Sequence, residues 1–221
     1  MFSWNLDHQA PLKVLCLGAH SDDIEIGAGG ALLQILAANP QVTVYWVVFS
    51  ASEVRAAEAR ASAARFLEGA AAQTVVIKGW RDGFFPYQGA EIKEYFETIK
   101  GEFQPDLIFT HYRDDRHQDH RVISDLTWNT FRNHLILEYE IPKYDGDLGS
   151  PNCFVPLDEA TYQRKIAILL ECFPTQVGKH WFDEDTFLAM LRIRGMEAAA
   201  PSHHAEAFYC RKVTLTMGWS G

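Results

Sequence analysis

Short apolar runs alternate with amphipathic stretches through the first 130 residues. Val14-Leu15-Cys16-Leu17, closed by Gly18, reads as a strand buried on both faces. Gly27, Gly29 and Gly30 then lead into a helix over residues 31–36, stopped by Asn39-Pro40. Residues 42–49 are β-branched and aromatic and predict the next strand. Ser52 is placed to cap a helix that runs to Leu67 and ends at Gly69. Residues 74–77 are strand-like, and residues 79–89 hold three glycines and Pro86, a loop. A helix over residues 90–103, a strand over 106–110 and a helix from about Asp119 to Asn133 complete this half. Strand–helix alternation of this kind predicts an α/β fold: a Rossmann-like, mainly parallel sheet with helices on both faces.

From Leu135 the pattern is less regular. Residues 141–156 read mostly as loop, Asp158 caps a helix through Leu170, residues 187–193 suggest another helix, and residues 207–215 alternate enough to be a closing strand. With no repeat or linker in view, the 221 residues read as one domain.

Composition narrows the class. The chain is 48% hydrophobic and 22% charged, with a net charge of −9, which gives nucleic acid and anionic lipid no electrostatic footing. Cys16, Cys153, Cys172 and Cys210 are far apart, so no Cys-x-x-Cys motif exists and reduced thiols are expected. Residues 1–11 lack the basic and apolar parts of a signal peptide, and no apolar run approaches a membrane span. These features set the expectation of a cytoplasmic protein.

The chemistry concentrates in two segments, each directly after a predicted strand: Ala19-His20-Ser21-Asp22-Asp23-Ile24-Glu25, and the ten residues from His111 to His120. Open α/β sheets bind ligands beyond the carboxyl ends of their strands, so the two segments can meet. His20 and Asp23, three residues apart in a turn, can reach one ion and leave Asp22 free as a base. His117 and His120 share a helix face near a helix start, where imidazole tends to stay neutral. Two imidazoles and one carboxylate form the open ligand set of a catalytic zinc. Gly27-x-Gly29-Gly30 offers a competing reading, a loop for nucleotide or S-adenosylmethionine, but the turn itself is filled with carboxylates that repel phosphate.

The residues resemble a known family. Ala19-His20-Ser21-Asp22-Asp23 resembles the Ala-His-Pro-Asp-Asp signature of the PIG-L/LmbE-like zinc N-deacetylases, and His117-Gln118-Asp119-His120 resembles their His-Pro-Asp-His signature. Arg55-x-x-Glu58, the strand ending at His111, the Lys165-to-Gln176 stretch and Ala205-Glu206-Ala207-Phe208 are similar to further family segments. Ser21 and Gln118 stand where proline is usual, and Asp115 where some members carry a tyrosine near the oxyanion. The resemblance implies an LmbE-like fold with zinc on His20, Asp23 and His120, and an Fe(II) ion also suits that set. It implies Asp22 as general base, His117 facing the substrate carbonyl and Asp119 orienting a histidine. Arg55 is the candidate substrate ligand, for a hydroxyl or phosphate, or else a helix arginine paired with Glu53 or Glu58.

The function so implied is zinc-dependent removal of the acetyl group from an N-acetyl sugar or glycoconjugate, by a homo-oligomer. A related amidase acting on a thiol-sugar conjugate and a nucleotide-binding Rossmann protein are the alternatives. Secondary candidates are Arg113, Arg116 and Arg121 for an anionic substrate part, and Trp80, Asp82, Phe84, Phe85 and Tyr87 for sugar stacking or for packing the loop after the third strand. His203 and His204 point opposite ways in an extended chain, so one of the two can reach the site.

Overall fold

The computed structural model describes residues 10–214. The N-terminal segment read for a leader, apart from residues 10 and 11, and Leu215 of the expected closing strand lie outside the described residues. Seven strands form one sheet in the order β3-β2-β1-β4-β5-β7-β6. They are β1 Leu12–Gly18, β2 Val42–Val48, β3 Ala72–Ile77, β4 Leu107–His111, β5 Leu135–Tyr139, β6 Cys153–Pro156 and β7 Ala205–Cys210. The first five strands pair in parallel, and β7 runs antiparallel between β5 and β6.

The helices are α1 Asp23–Ala38, α2 Glu53–Phe66, α3 Gly89–Glu102, α4 Gln118–Thr130, α5 Glu159–Cys172 and α6 Glu184–Glu197. Side chains alternate across a strand, so β1 sends Val14 and Cys16 into one core and Leu15 and Leu17 into the other. The first core packs under α1, α2, α5 and α6; the second packs under α3 and α4 through Ile92, Phe96, Ile99 and Ile123. Helices on both faces explain why β1 and β2 are nearly continuous apolar runs. All four cysteines are free, and no helix among the described residues is long and apolar enough to cross a membrane.

Several elements differ from the sequence reading. α1 starts at Asp23, ahead of the three glycines, which therefore sit inside the helix. They mark close approach rather than a turn: a Cβ on Gly27 would collide with the Tyr139 ring, and one on Gly29 would stand 2.6 Å from Cε1 of Phe66. Residues 135–139 and 153–156, read as irregular or loop, are strands β5 and β6. The closing strand begins at Ala205 and ends at Cys210.

Tyr139 is fully buried, with its hydroxyl donating to the Leu17 carbonyl at 2.7 Å. Gly27→Ala would force this ring out of place. The expected cost is about 1–3 kcal/mol of stability by overpacking, read from the urea midpoint at unchanged m-value.

β1 and β4 are neighbours whose chains continue to opposite sides of the sheet, β1 to β2 and β4 to β5. A crevice opens at such a switch in strand order.

Candidate metal centre and active site

Both chemistry-bearing segments meet at that switch point. The first leaves β1 and turns into α1, where Asp22 is the N-cap residue and Asp23 the first helical one. Asp23 folds back so that Oδ2 accepts the His20 N–H at 2.6 Å. The second leaves β4 and enters α4, with His117 at the N-cap and His120 in the first turn. His20, Asp23 and His120 come together there. Nδ1 of His20 lies 3.2 Å from Nε2 of His120 and 3.5 Å from Oδ2 of Asp23, and Nε2 of His120 lies 3.7 Å from Oδ1 of Asp23.

The protonation pattern around these atoms is set by carboxylates, which accept and do not donate. His120 Nδ1 faces Asp115 Oδ2 at 2.9 Å, so Nδ1 carries the proton and Nε2 is left bare. Asp115 is buried, yet His120, His111 and Lys143 hold it well below the usual carboxylate range. His20 Nε2 faces Asp119 Oδ2 at 3.3 Å and Asp82 Oδ1 at 3.1 Å, so Nε2 carries a proton and Nδ1 is the nitrogen turned toward His120 and Asp23. Asp119 is itself fixed by the N–H groups of Gly83 and Phe85, at 2.6 and 3.1 Å. Nδ1 of His20 and Nε2 of His120 therefore face one carboxylate, Asp23, through its two different oxygens. Ligand atoms on a tetrahedral ion with bonds of about 2.0–2.2 Å stand about 3.3–3.6 Å apart, and the observed spacings of 3.2, 3.5 and 3.7 Å lie close to that range. The donor set fits a divalent metal.

The local field favours positive charge at this point. Burial opposes a charge on His20, but Asp119, Asp23 and Asp82 outweigh it and hold its pKa well above the usual value. Burial likewise acts to raise Asp23, and His120 and His111 overcome it, keeping the carboxyl well below its usual range. His120 is pushed down to about 3 by burial and by His111 beside it, so it stays neutral.

Asp22 is buried next to this cluster. Burial raises its carboxyl to about 6 against the opposing pull of Arg55, whose Nη2 stands 3.0 Å from Oδ2. His117 accepts the Asp119 N–H at Nδ1, 3.3 Å away, which leaves a neutral ring with its proton on Nε2. Burial, then the charge on His20, lowers its pKa and keeps it neutral.

Sequence reasoning missed two members of this site. His111, wholly buried at the end of β4, accepts the Ala19 N–H at 2.9 Å and stacks on His120 with ring centroids 3.9 Å apart. It also belongs to a donor cluster with Asp23 and His120. Asp115, which the sequence marked only as a departure from a tyrosine, is the carboxylate that orients His120.

A cavity of about 540 Å³ opens over the cluster, within the range of small-molecule sites. Arg55, Asp82, Lys143, Tyr144, Lys179 and Trp181 form much of its outer wall. Arg113, Arg116 and Arg121 do not line it. Of the loop aromatics, Trp80 stacks on Phe49 and Phe85 is fully buried against His20, so both pack the loop down. Phe84 and Tyr87 remain exposed. His204 packs against Tyr162 with the rings tilted, and neither His203 nor His204 lines the cavity.

Solved structures share this fold. A conserved protein, TT1542, from Thermus thermophilus is similar at 21% identity and a TM-score of 0.70, over 95% of this chain and 99% of that one. The N,N'-diacetylchitobiose deacetylase from Pyrococcus horikoshii is similar at 20% identity and a TM-score of 0.67, over 91% of this chain and 86% of that one. GalB, the 4-carboxy-2-hydroxymuconate hydratase of Pseudomonas putida KT2440, is similar at 17% identity and a TM-score of 0.70, over 95% of this chain and 100% of that one. A deacetylase and a hydratase share the architecture, so the architecture alone does not choose a reaction. The model of the family PIG-L, GlcNAc-PI de-N-acetylase, matches residues 15–131, more than half of the chain, and includes both histidine–aspartate segments. The chain belongs to the PIG-L family.

Proposed function

We propose that this protein is a metal-dependent hydrolase that removes the acetyl group from an N-acetylated amino sugar or glycoconjugate and releases acetate. One observation carries the reading: Nδ1 of His20, Nε2 of His120 and the Asp23 carboxylate lie 3.2–3.7 Å from one another beside the buried acid Asp22. Family membership supports the choice of an amide over other substrates. Zinc suits the donor set, and Fe(II) is the second choice. When bound, the metal supplies a Lewis acid for the amide carbonyl and a water acidified to a pKa of about 7.

The protein's own groups do the rest. Asp22 accepts the proton of the attacking water, and its raised pKa suits it to pass that proton to the leaving amine. His117 donates its Nε2 proton to the carbonyl oxygen as negative charge develops there, a contact typically worth about 3–4 kcal/mol. Asp119 and Asp115 hold His20 and His120 in the tautomers that ligation needs.

The test is metal content and acetate release together. Purified protein is assayed with N-acetylglucosamine, N-acetylgalactosamine and N,N'-diacetylchitobiose, before and after dialysis against a chelator. Chelation is expected to abolish acetate release, and one equivalent of zinc or Fe(II) to restore it. Turnover that survives complete removal of metal would overturn the metal assignment; intact metal binding with no acetate from any sugar would overturn the deacetylase reading.

A further inference from the structure

Lys143 lines the cavity, yet the protein itself engages its ammonium. Nζ donates to Asp115 Oδ2 at 2.9 Å, to Asp147 Oδ2 at 2.5 Å and to the Ile141 carbonyl at 3.4 Å. Those three acceptors match the three donors of an ammonium. The Lys143 side chain is 11% exposed, and the two carboxylates are 2% and 6% exposed. Asp147 Oδ2 also accepts the Arg116 N–H at 2.6 Å. The Lys143–Asp147 pair therefore ties residues 140–152, which connect β5 to β6, to the segment that carries His117 and His120. The stem of that connection is pinned separately by Glu140, which accepts the Gly149 N–H at 2.8 Å and pairs with buried Arg194 at 2.7 Å.

The two oxygens of Asp115 are loaded unequally. Oδ1 accepts the His117 N–H at 2.8 Å. Oδ2 faces two donors, His120 Nδ1 and Lys143 Nζ, at 2.9 Å each. A carboxylate on one nitrogen of a ligating imidazole raises the basicity of the nitrogen that faces the metal. A cation on the same carboxylate oxygen opposes this, because it draws the oxygen's charge toward itself. Burial leaves little water to screen that opposition. Asp147 shares the ammonium and so limits how much of its charge reaches Asp115.

We infer that Lys143 is a positioning residue for the metal centre: acting through Asp115, it keeps His120 a weaker ligand than an unshared carboxylate would make it, and Asp147 sets how strongly it does so. The inference rests on His120 as a metal ligand of the proposed hydrolase. It gives Lys143 no contact with substrate, although the side chain lines the cavity. A ligand that donates less leaves the ion a stronger Lewis acid, so the network exchanges metal affinity for reactivity.

The test measures the zinc affinity of the full chain by competition with a chromophoric chelator, so it needs no turnover. Lys143→Met and Lys143→Gln are each expected to bind zinc about fivefold more tightly, and either folded variant decides the sign. Lys143→Arg, which keeps the charge, is expected to stay within about twofold of the unsubstituted protein. Asp147→Asn keeps an acceptor for the Arg116 N–H but frees the ammonium to act on Asp115, so about threefold weaker binding is expected. A merely structural strap gives the opposite sign at Lys143, because a loosened centre loses metal. Equal or weaker zinc binding without the Lys143 charge overturns the inference. In an Asp115→Asn background the Lys143→Met effect is expected to shrink by more than half; an undiminished effect overturns the path through Asp115. With zinc loaded and the fastest of the three sugars above, Lys143→Met is expected to lower kcat about threefold with KM within about twofold. A tenfold rise in KM with kcat kept would make Lys143 a substrate ligand and overturn the inference. The expected affinities with no acetate release would support the inference and overturn only the deacetylase reading, whereas a chain that takes up no zinc overturns both.

Discussion

Asp22→Asn is expected to keep its metal and lose about 10²–10⁴-fold in kcat, the usual worth of a positioned general base. The side chain lies beside the ligand cluster without being one of its three converging donors. An amide of the same shape preserves the packing of a residue that is 4% exposed, and an Arg55 contact through its oxygen. What it removes is the ability to take a proton. His120→Ala is the paired control. It deletes a ring nitrogen from the centre and leaves Asp115 with Lys143 and the His117 N–H as partners, so metal content itself is expected to fall. Metal analysis and acetate kinetics on the two variants separate the roles. Near-full turnover in Asp22→Asn would show that another group accepts the proton.

The meeting of the two segments was legible in the sequence because each follows a strand directly. β1, β2 and β4 are buried on both faces, so each shows as a nearly continuous apolar run followed by polar residues. The ends of those runs are the site. Other features depend on pairs that sequence order hides. β5 was obscured because its run ends in Glu138 and Tyr139, a buried carboxylate and a buried phenol that point to partners elsewhere. β6 is a half-exposed edge strand of four residues bounded by prolines, which reads as loop. The glycines of α1 were read as turn signals, since nothing local reveals that Tyr139 and Phe66 press on them. His111 touches Ala19 across 92 positions, and Arg55 reaches Thr175 across 120. A lone histidine after a strand and an Arg-x-x-Glu on a helix carry no mark of such partners.

The second large effect is expected far from any substrate, at Lys165 and Glu206. Each is 3% exposed, and they pair at 2.6 Å. Glu206 also accepts the N–H groups of Gly30 and Ala31 at 2.7 Å each, and Lys165 donates to the Ile26 carbonyl at 2.6 Å. Gly30 N–H and Ile26 C=O are ladder partners in an ordinary helix, so the ion pair grips α1 across one of its own rungs. The glycine matters here: a Cβ on Gly30 would stand 2.9 Å from Glu206 Oε1. The same helix carries Asp23 in its first turn, so the grip fixes a proposed metal ligand one turn away. Removing one partner leaves the other charge buried and uncompensated, which costs about 3–5 kcal/mol. That is a large share of a typical folding free energy of about 5–15 kcal/mol. Lys165→Met and Glu206→Leu are each expected to lose this much in urea unfolding. The double variant Lys165→Met/Glu206→Leu is expected to recover more than half, because no charge is left stranded and the freed rung can close on itself. A loss below about 1 kcal/mol in either single variant would mean that the remaining charge finds water, and that the pair does not hold α1 in place.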